Sequence, residues 1–321
     1  MPAAVKRIGL LFGMEDTFPG ALIRAVEKRG RGKIAALPVE IEALRDTDRF
    51  DYALILDRIS HEVPFYRTFL KVAAAQGVQV VNNPFWWSAD DKYFGNLVAR
   101  AVGVATPRTV LLPHKQRPPN TESTSYRNLR FVDWEAVFDY LEFPIFLKPA
   151  YGGGWKDVYK THDRDEFFDA YDRSRDLVMM AQETINFTQY YRCFTIGRKR
   201  VRVMRYNPAA PPKERYVRNA PPLEPELLAR VERDALALSA ALGYDMNTVE
   251  LAIRDGMPYA IDFTNPAPDA ERSSVGDEHF EWIVATMAEV LVERVRRPLP
   301  FELGGSWPAA VRAAREPAGA P

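Results

Sequence analysis

The chain has 321 residues, a length that suits two domains better than one. Hydrophobic residues make up 47% of the chain, which allows a large core and excludes a disordered protein. Lysine and arginine together number 43, as do aspartate and glutamate, so no net charge favours binding to nucleic acid or to a membrane surface.

The cysteine content and the apolar segments predict a cytoplasmic protein. Cys193 is the only cysteine, which excludes internal disulfides and suits a reducing compartment. No stretch is long and apolar enough to predict a membrane span. The N-terminal run IGLLFGM is too short for a signal peptide and is predicted to be a first strand.

Apolar runs alternate with helical segments from Val5 to about Pro113. RIGLLFG, KIAALPV, YALILD and GVQVVN have the continuous hydrophobicity of buried strands, and segments such as VPFYRTFLKVAAA between them have helical spacing. A helix is also predicted in SADDKYFGNLVARAVG, where Ser88 and Asp91 form a capping-box pattern. ATPRTVLLP is predicted as an exit strand. This alternation predicts a parallel sheet with helices on its faces.

The remainder of the chain has a different, antiparallel α+β pattern. A proline-rich polar segment, residues 114–128, precedes it and is predicted to be a domain boundary. Asp255-Gly256 is expected to turn a hairpin within NTVELAIRDGMPYAIDF. A last helix is expected from about Asp277 to Arg296, and the low-complexity tail after it is expected to fray.

Three consecutive glycines, Gly152, Gly153 and Gly154, stand in PIFLKPAYGGGWKDVYK. A P-loop or a Rossmann turn requires a helix after the glycines, whose first amides meet a phosphate. Here KDVYK follows and alternates like a strand, no Lys-Ser/Thr pair follows, and the GxGxxG spacing is absent. We therefore expect a hairpin whose flexible tip either covers a phosphate chain with its amides or is simply mobile.

Other polar residues strengthen the phosphate-binding alternative. Lys148 ends the strand before the glycines and could reach phosphate oxygens, and Glu183 follows an apolar strand in MAQETI and could meet a ribose. Glu250 and Asp262 would lie on neighbouring strands of the predicted hairpin, with Asn265 shortly after. Carboxylate and amide oxygens suit a Mg²⁺ ion that bridges nucleotide phosphates.

In this order along the chain, the motifs resemble those of the ATP-grasp superfamily, which includes D-alanine–D-alanine ligase and glutathione synthetase. The matching stretches are VVNNPFWWSADDK, FLKPAYGGGW, AQETI, and VEL followed by IDFTNP, and they span nearly the whole chain. The resemblance implies an α/β and α+β fold, in which a Rossmann-like pre-ATP-grasp domain precedes an ATP-grasp domain of two subdomains. The implied ranges are 1–113 for the first domain, 114–130 for a linker, 131–185 and 186–300 for the subdomains, and 301–321 for a tail.

The resemblance also implies that the protein binds ATP. Lys92 and Lys148 would bind the ATP phosphates, and the glycine flap would close over them, with Lys156 just past its tip. The residues that would meet the adenosine belong to one strand and the connection after it: Gln182, Glu183, Thr184 and Ile185.

By the same resemblance, Mg²⁺ would be held by Glu250, Asp262 and Asn265, and Arg192 and Arg205 occupy positions where relatives place arginines that bind phosphate or the reaction intermediate. One spacing departs from the family. The usual pattern is Glu-x-Asn, whereas this chain has Asp-Phe-Thr-Asn, so either Thr264 takes the position of the amide or the strand bulges.

The family chemistry implies an ATP-dependent carboxylate–amine or carboxylate–thiol ligase that acts through an acylphosphate and releases ADP and phosphate. Its partners would be small-molecule substrates, and homodimers are common among similar proteins. Two alternatives stay open. A small-molecule kinase would give a stable phosphorylated product, and a nucleotide-binding protein with a decayed metal site would bind ATP without turnover.

The carboxylate substrate is expected at the carboxyl ends of the first strands. DRISHEVPFYR follows the third strand there, and Arg58, Tyr66 and Arg67 in it could bind an anion. The alternative is that Tyr66 and Arg67 begin a helix and are solvated or paired. Glu15 in MEDTFPG is a similar candidate for binding an amine.

Overall fold

The computed structural model describes residues 4–85, 91–152, 155–211, 214–300 and 306–315. Within these ranges the strands form three four-stranded sheets, one parallel and two antiparallel. The mixed α/β and α+β architecture expected from the sequence is therefore confirmed. Within the same ranges, no helix combines the length and the hydrophobicity needed to cross a membrane.

The first sheet is parallel, as predicted, and has the order β2-β1-β3-β4. Its strands are β1 (Lys6–Leu11), β2 (Ile34–Pro38), β3 (Leu54–Asp57) and β4 (Gln79–Val81). Every residue of β3 is buried, because Leu54 and Leu56 point into one hydrophobic core and Ile55 points into another.

Helices cover both faces of this sheet. The second core packs against α2 (Pro64–Ala75) through Phe69 and Leu70. On the other face, α1 (Thr17–Gly30) packs against the last long helix of the chain, α8 (Asp277–Arg296), whose bounds match the prediction. The first sheet therefore shares a core with residues that lie more than 200 positions later.

The second sheet is antiparallel and has the order β5-β8-β6-β7. Its strands are β5 (Thr109–Leu112), β6 (Ile145–Pro149), β7 (Tyr159–Thr161) and β8 (Met179–Glu183), packed on α4 (Trp134–Leu141) and α5 (Arg164–Arg173). The strand β5, expected to be the exit strand of the first region, pairs with β8 in this sheet. The KDVYK strand also begins later than predicted, because Trp155 and Asp157 have positive φ angles of 62° and 56°.

The third sheet is antiparallel and has the order β10-β9-β11-β12. Its strands are β9 (Gln189–Ile196), β10 (Arg200–Arg205), β11 (Met246–Arg254) and β12 (Met257–Asp262). The predicted hairpin turn is confirmed, with φ angles of 53° at Asp255 and 71° at Gly256. One face packs on α6 (Pro225–Leu242), and the other joins the core of the first sheet.

Three further α-helices are α3 (Lys92–Ala101), α7 (Arg272–Val275) and α9 (Trp307–Arg315), and a short 3-10 helix (Ser123–Tyr126) lies in the predicted linker. Asp91 caps α3 by accepting bonds from the amides of residues 93 and 94, whereas Ser88 lies outside the described residues. The expectation of a frayed tail is wrong for α9. The Trp307 ring lies 4.9 Å from the Phe94 ring, edge to face, so tertiary packing holds this helix against α3.

Two polar clasps join the first sheet to the segments around the third. The Asn82 amide, just after β4, accepts bonds from the backbone of Asp245 and Met246 and donates to the carbonyls of Met246 and Pro266, at 2.7–3.0 Å. The Glu271 carboxylate accepts bonds from the first amides of α1 and from the Thr17 hydroxyl, the last at 2.6 Å. A carboxylate is favourable there because the helix N-terminus carries partial positive charge.

Candidate active site

Glu250 and Asp262 face each other on β11 and β12. Pairing between the two strands is regular from Arg254 to Leu251, which lies opposite Ala260, and then shifts by one residue so that Glu250 lies opposite Asp262. The extra residue, Ile261, makes a β-bulge. Directly paired residues point to the same face of a sheet, so the bulge sets the two carboxylates side by side.

The Glu250 side chain is held from two directions. The Tyr190 hydroxyl donates a bond of 2.5 Å to Glu250 Oε2, and Arg192 Nε lies 3.7 Å from Oε1. Burial raises the pKa of Glu250; the Arg192 guanidinium opposes this rise, and Asp262 adds to it. A bound cation would therefore relieve the repulsion between the two carboxylates.

Lys148 lies beside this pair and is 9% exposed. Its ammonium group donates a bond of 3.2 Å to the Ile261 carbonyl, the residue of the bulge. Burial lowers the pKa of Lys148 to about 8, against the attraction of Asp262. A lysine of the second sheet thus lies beside the two carboxylates of the third sheet.

Lys92, the first residue of α3, is hydrogen-bonded to the segment that leads into the three glycines. Its Nζ donates a bond of 2.5 Å to the Gly152 carbonyl, and its backbone amide donates to the Ala150 carbonyl at 3.1 Å. Gly153 and Gly154 lie outside the described residues. Lys156, just beyond them, is exposed.

A small pocket between the second and third sheets brings several predicted residues together. It is lined by Lys92, Asn96, Lys148, Met180, Gln182, Ile261, Asp262, Phe263 and Thr264. Thr264 therefore reaches this pocket and Asn265 is not among its lining residues. The backbone N–H of Asn265 donates a bond of 2.9 Å to Asn247 Oδ1.

The segment predicted to meet adenosine is mostly buried. Gln182 donates a bond of 2.9 Å to the Thr109 hydroxyl, and Ile185 is buried. The Glu183 carboxylate accepts bonds from the backbone amide and from Nε of Arg108, at 3.0 and 2.9 Å, so it is turned toward Arg108. The buried Thr184 hydroxyl has no hydrogen-bond partner among the described residues. The prediction missed Arg108, because nothing in its sequence context separates it from an ordinary residue before a strand.

The two predicted phosphate-binding arginines are not brought together. Arg192 on β9 lies opposite Glu250 on one side and Met204 on the other, whereas Arg205 lies opposite Tyr191. Neighbouring residues of a strand point to opposite faces, so Arg192 shares a face with Glu250 and Arg205 does not. Arg205 instead donates a bond of 3.0 Å to the Tyr191 hydroxyl.

Arg58 and Arg67 are both buried at the carboxyl edge of the first sheet, with 4% and 5% exposure. Arg58 forms an ion pair of 2.5 Å with Glu15 and donates to the Pro268 carbonyl at 2.6 Å. Arg67 lines a second small pocket with Asp57, His61, Asn82, Asn83, Tyr244, Pro266 and Ala267. Tyr66 packs against the hydrophobic core beside α2.

No protein-family model and no curated protein matches the chain. Solved structures do match it. D-alanine–D-alanine ligase from Bacillus anthracis, complexed with ATP, gives a TM-score of 0.64 at 17% identity and covers 92% of this chain and 98% of its own. The VanG D-Ala:D-Ser ligase from Enterococcus faecalis gives 0.64 at 14% identity and covers 91% and 99%. A RimK domain ATP-grasp protein from Sphaerobacter thermophilus gives 0.63 at 19% identity and covers 89% and 99%.

The chain therefore has the ATP-grasp fold, as its sequence motifs implied. At these identities the likeness establishes the architecture alone.

Proposed function

We propose that this protein is an ATP-dependent carboxylate–amine or carboxylate–thiol ligase that forms ADP. One observation carries the proposal. The buried Lys148 lies at the Glu250–Asp262 pair, in a pocket that also contains Lys92 and Gln182. The D-alanine–D-alanine and D-Ala:D-Ser ligases that share the fold support the choice of a ligase.

The donor set at this pair suits Mg²⁺. Within the described ranges, no group of three or more His, Cys, Asp or Glu side chains could hold a metal ion. Mg²⁺ is commonly bound by only one or two carboxylates, with substrate phosphates and water completing its shell. Glu250 and Asp262 would supply the carboxylates, and Thr264 or Asn265 would supply a further oxygen. When bound, Mg²⁺ would neutralise charge on the ATP phosphates.

The chain's own residues would stabilise the transferred phosphoryl group. Lys148 and Lys92 would bind its oxygens as point charges, and Arg192 would face it from the sheet. The flap at Gly152 would close over the phosphates and exclude water from a reactive acylphosphate. The strand end from Gln182 to Ile185 would cover the adenosine.

The proposed reaction has two steps. A substrate carboxylate oxygen bonds to the γ-phosphorus of ATP as the bond between that phosphorus and the ADP oxygen breaks. An amine or thiol then bonds to the acyl carbon as phosphate leaves with the electron pair, and the nucleophile gives its proton to the departing phosphate or to water.

The first sheet would form the pre-ATP-grasp domain and present the carboxylate from the pocket at Arg67.

The test is an ADP-release assay with Mg-ATP and pooled amino acids and other small carboxylates, followed by mass spectrometry. An amide or a thioester is the expected product, a stable phosphorylated product would indicate a kinase, and ATP binding without ADP release would indicate a non-catalytic protein. Lys148→Ala should abolish turnover, whereas Lys160→Ala, on the neighbouring strand, should not. The ligase assignment is lost if no pool provokes ADP release and Lys148→Ala leaves ATP affinity unchanged.

A further inference from the structure

The segment after β10, residues 207–211 and 214–219, folds back and pairs with the end of that strand. The amide of Asn207 donates to the Arg215 carbonyl at 2.8 Å, and the amide of Val217 donates to the Arg205 carbonyl at 3.0 Å. These bonds set Tyr216 opposite Tyr206 in an isolated bridge, so both phenol rings lie on one side of the backbone.

Tyr216, Tyr206 and Arg192 form one cluster beside Glu250. The two phenol rings lie 5.1 Å apart, and the Arg192 guanidinium lies 5.3 Å from the Tyr206 ring centre. Arg192 also donates bonds to the hydroxyls of Tyr206 and Thr248, at 3.2 and 3.3 Å. Burial raises the pKa of the Tyr216 phenol while the Arg192 charge opposes the rise, as expected for groups this close.

Two donors of this cluster are buried without a hydrogen-bond partner among the described residues: the Tyr216 hydroxyl and Arg192 Nε. Tyr216 is 8% exposed, and its hydroxyl oxygen is buried from bulk solvent. Buried donors of this kind are rare in native proteins because leaving them unpaired costs free energy. Two donors without a hydrogen bond in one cluster, one of them on a cation, suit an anion with several acceptor oxygens.

We propose that Tyr216 is a ligand-binding residue whose hydroxyl donates to a phosphate group held by Arg192. This inference rests on the proposed function, in which Arg192 faces the transferred phosphoryl group. A phosphate fits better than a carboxylate because Arg192 lies against Glu250, a proposed ligand of the Mg²⁺ that phosphates share. The negative charges of Glu250, Asp262 and Asp269 act on Arg192 or Tyr216 and would repel a phosphate. Phosphate should therefore bind only when Mg²⁺ is present to offset these charges.

The experiment compares the wild-type protein with Tyr216→Phe by titrating inorganic phosphate in the presence of Mg²⁺, with and without ADP. Because the hydroxyl is unpaired, its removal should leave the melting temperature unchanged or slightly higher. Phosphate affinity should fall about tenfold in Tyr216→Phe, the size expected for one hydrogen bond to a charged group. Acetate, tested in parallel, should bind both proteins with equal, weak affinity.

Tyr171→Phe is the matched control, because the Tyr171 hydroxyl donates to the Pro113 carbonyl, just after β5. It should leave phosphate affinity unchanged. Equal phosphate affinity in wild type and Tyr216→Phe would overturn the proposal, as would a lower melting temperature for Tyr216→Phe, which would reveal an internal partner. If ADP with Mg²⁺ fails to bind, the proposed function fails, while the titration with Mg²⁺ and phosphate alone still decides the role of Tyr216.

Discussion

Arg192 and Arg205 lie on opposite faces of the third sheet, one beside Glu250 and the other bonded to the Tyr191 hydroxyl on the face that packs on α6. Their strands pair so that Met204, and not Arg205, lies opposite Arg192. The register of a single strand pair therefore separates two arginines that look alike in sequence.

The two arginines should differ sharply when each is replaced by lysine. Arg192→Lys loses the planar guanidinium that we propose faces the transferred phosphoryl group, so kcat should fall by about 100-fold. Arg205→Lys should change kcat less than about threefold, since its partners are Tyr191 and a backbone carbonyl. Steady-state ADP release measures both, with melting temperatures as the check on folding. Equal losses in the two variants would contradict the separation by faces.

Magnesium binding should depend on Glu250 and Asp262 together. Glu250→Gln and Asp262→Asn should each weaken Mg²⁺ binding at least tenfold. Each change removes one of the two charged oxygen donors, and the protein would offer Mg²⁺ few others. Calorimetric titration of Mg²⁺ into protein with ADP would measure this. Thr264→Val should weaken binding more than Asn265→Ala if the pocket residue is the third donor. The reverse order would favour the amide.

The buried Lys148 should make stability depend on alkaline pH. Its pKa is lowered to about 8 from 10.5, so between these values the unfolded chain binds a proton that the folded protein does not. The free energy of unfolding should therefore rise as pH increases through that interval, by up to roughly 3 kcal/mol. Urea unfolding between pH 7 and 10.5 measures this rise.

Lys148→Met should remove that rise and increase the stability of the protein at pH 7, because it no longer buries a charge. Lys160→Met, a change at an exposed position on β7, should leave the rise intact. Buried tyrosines, which titrate at higher pH, contribute equally to the free energy of unfolding of both variants. Subtracting one pH profile from the other therefore cancels their contribution. Matching profiles for wild type and Lys148→Met would refute the argument.

The Glu271 clasp should make stability depend on acidic pH, so that the free energy of unfolding falls as the pH falls. Burial alone would raise the pKa of Glu271, but bonds from Thr17, Phe18 and Asp16 outweigh it, and the pKa lies below the usual 4.5. The folded protein therefore gains stability from Glu271 above that pH and loses it as pH falls. Glu271→Gln should lower the free energy of unfolding by about 1–2 kcal/mol at pH 7 and weaken this acid dependence.

Hydrogen exchange gives an independent measurement, since amides of residues 16–18 should exchange faster in Glu271→Gln. Glu278→Gln is the control, because Glu278 is exposed and pairs with Arg202 at the surface. If both variants show the same pH profile, the clasp does not contribute to stability.

The sequence predicted those features that depend on local pattern. The continuous apolar run of β3, the helical spacing of α8 and the Asp255-Gly256 turn each identify their own structure, because burial, period and positive φ select residue types directly. The order of the motifs that are predicted to bind phosphate and metal also predicted the ATP-grasp fold. These inferences required no knowledge of which strands pair.

Features that depend on tertiary contact escaped the prediction. The pairing of β5 with β8, the bulge at Ile261 and the two faces of the arginines follow from register, which one strand's sequence does not carry. The helix α9 was missed because its stability comes from Trp307 packing on Phe94 and not from its own composition. Glu271 carries no local signal at all, since its partners lie more than 250 residues earlier.

The Arg58–Glu15 pair limits which ligands the first sheet can accept. Both charges are already satisfied, since Arg58 is bonded to Glu15 and to a backbone carbonyl and is 4% exposed. An incoming anion that used Arg58 would have to displace Glu15 and leave that carboxylate without its partner. An anionic ligand could therefore use Arg58 only if it also brought a positive group to replace the partner that Glu15 loses.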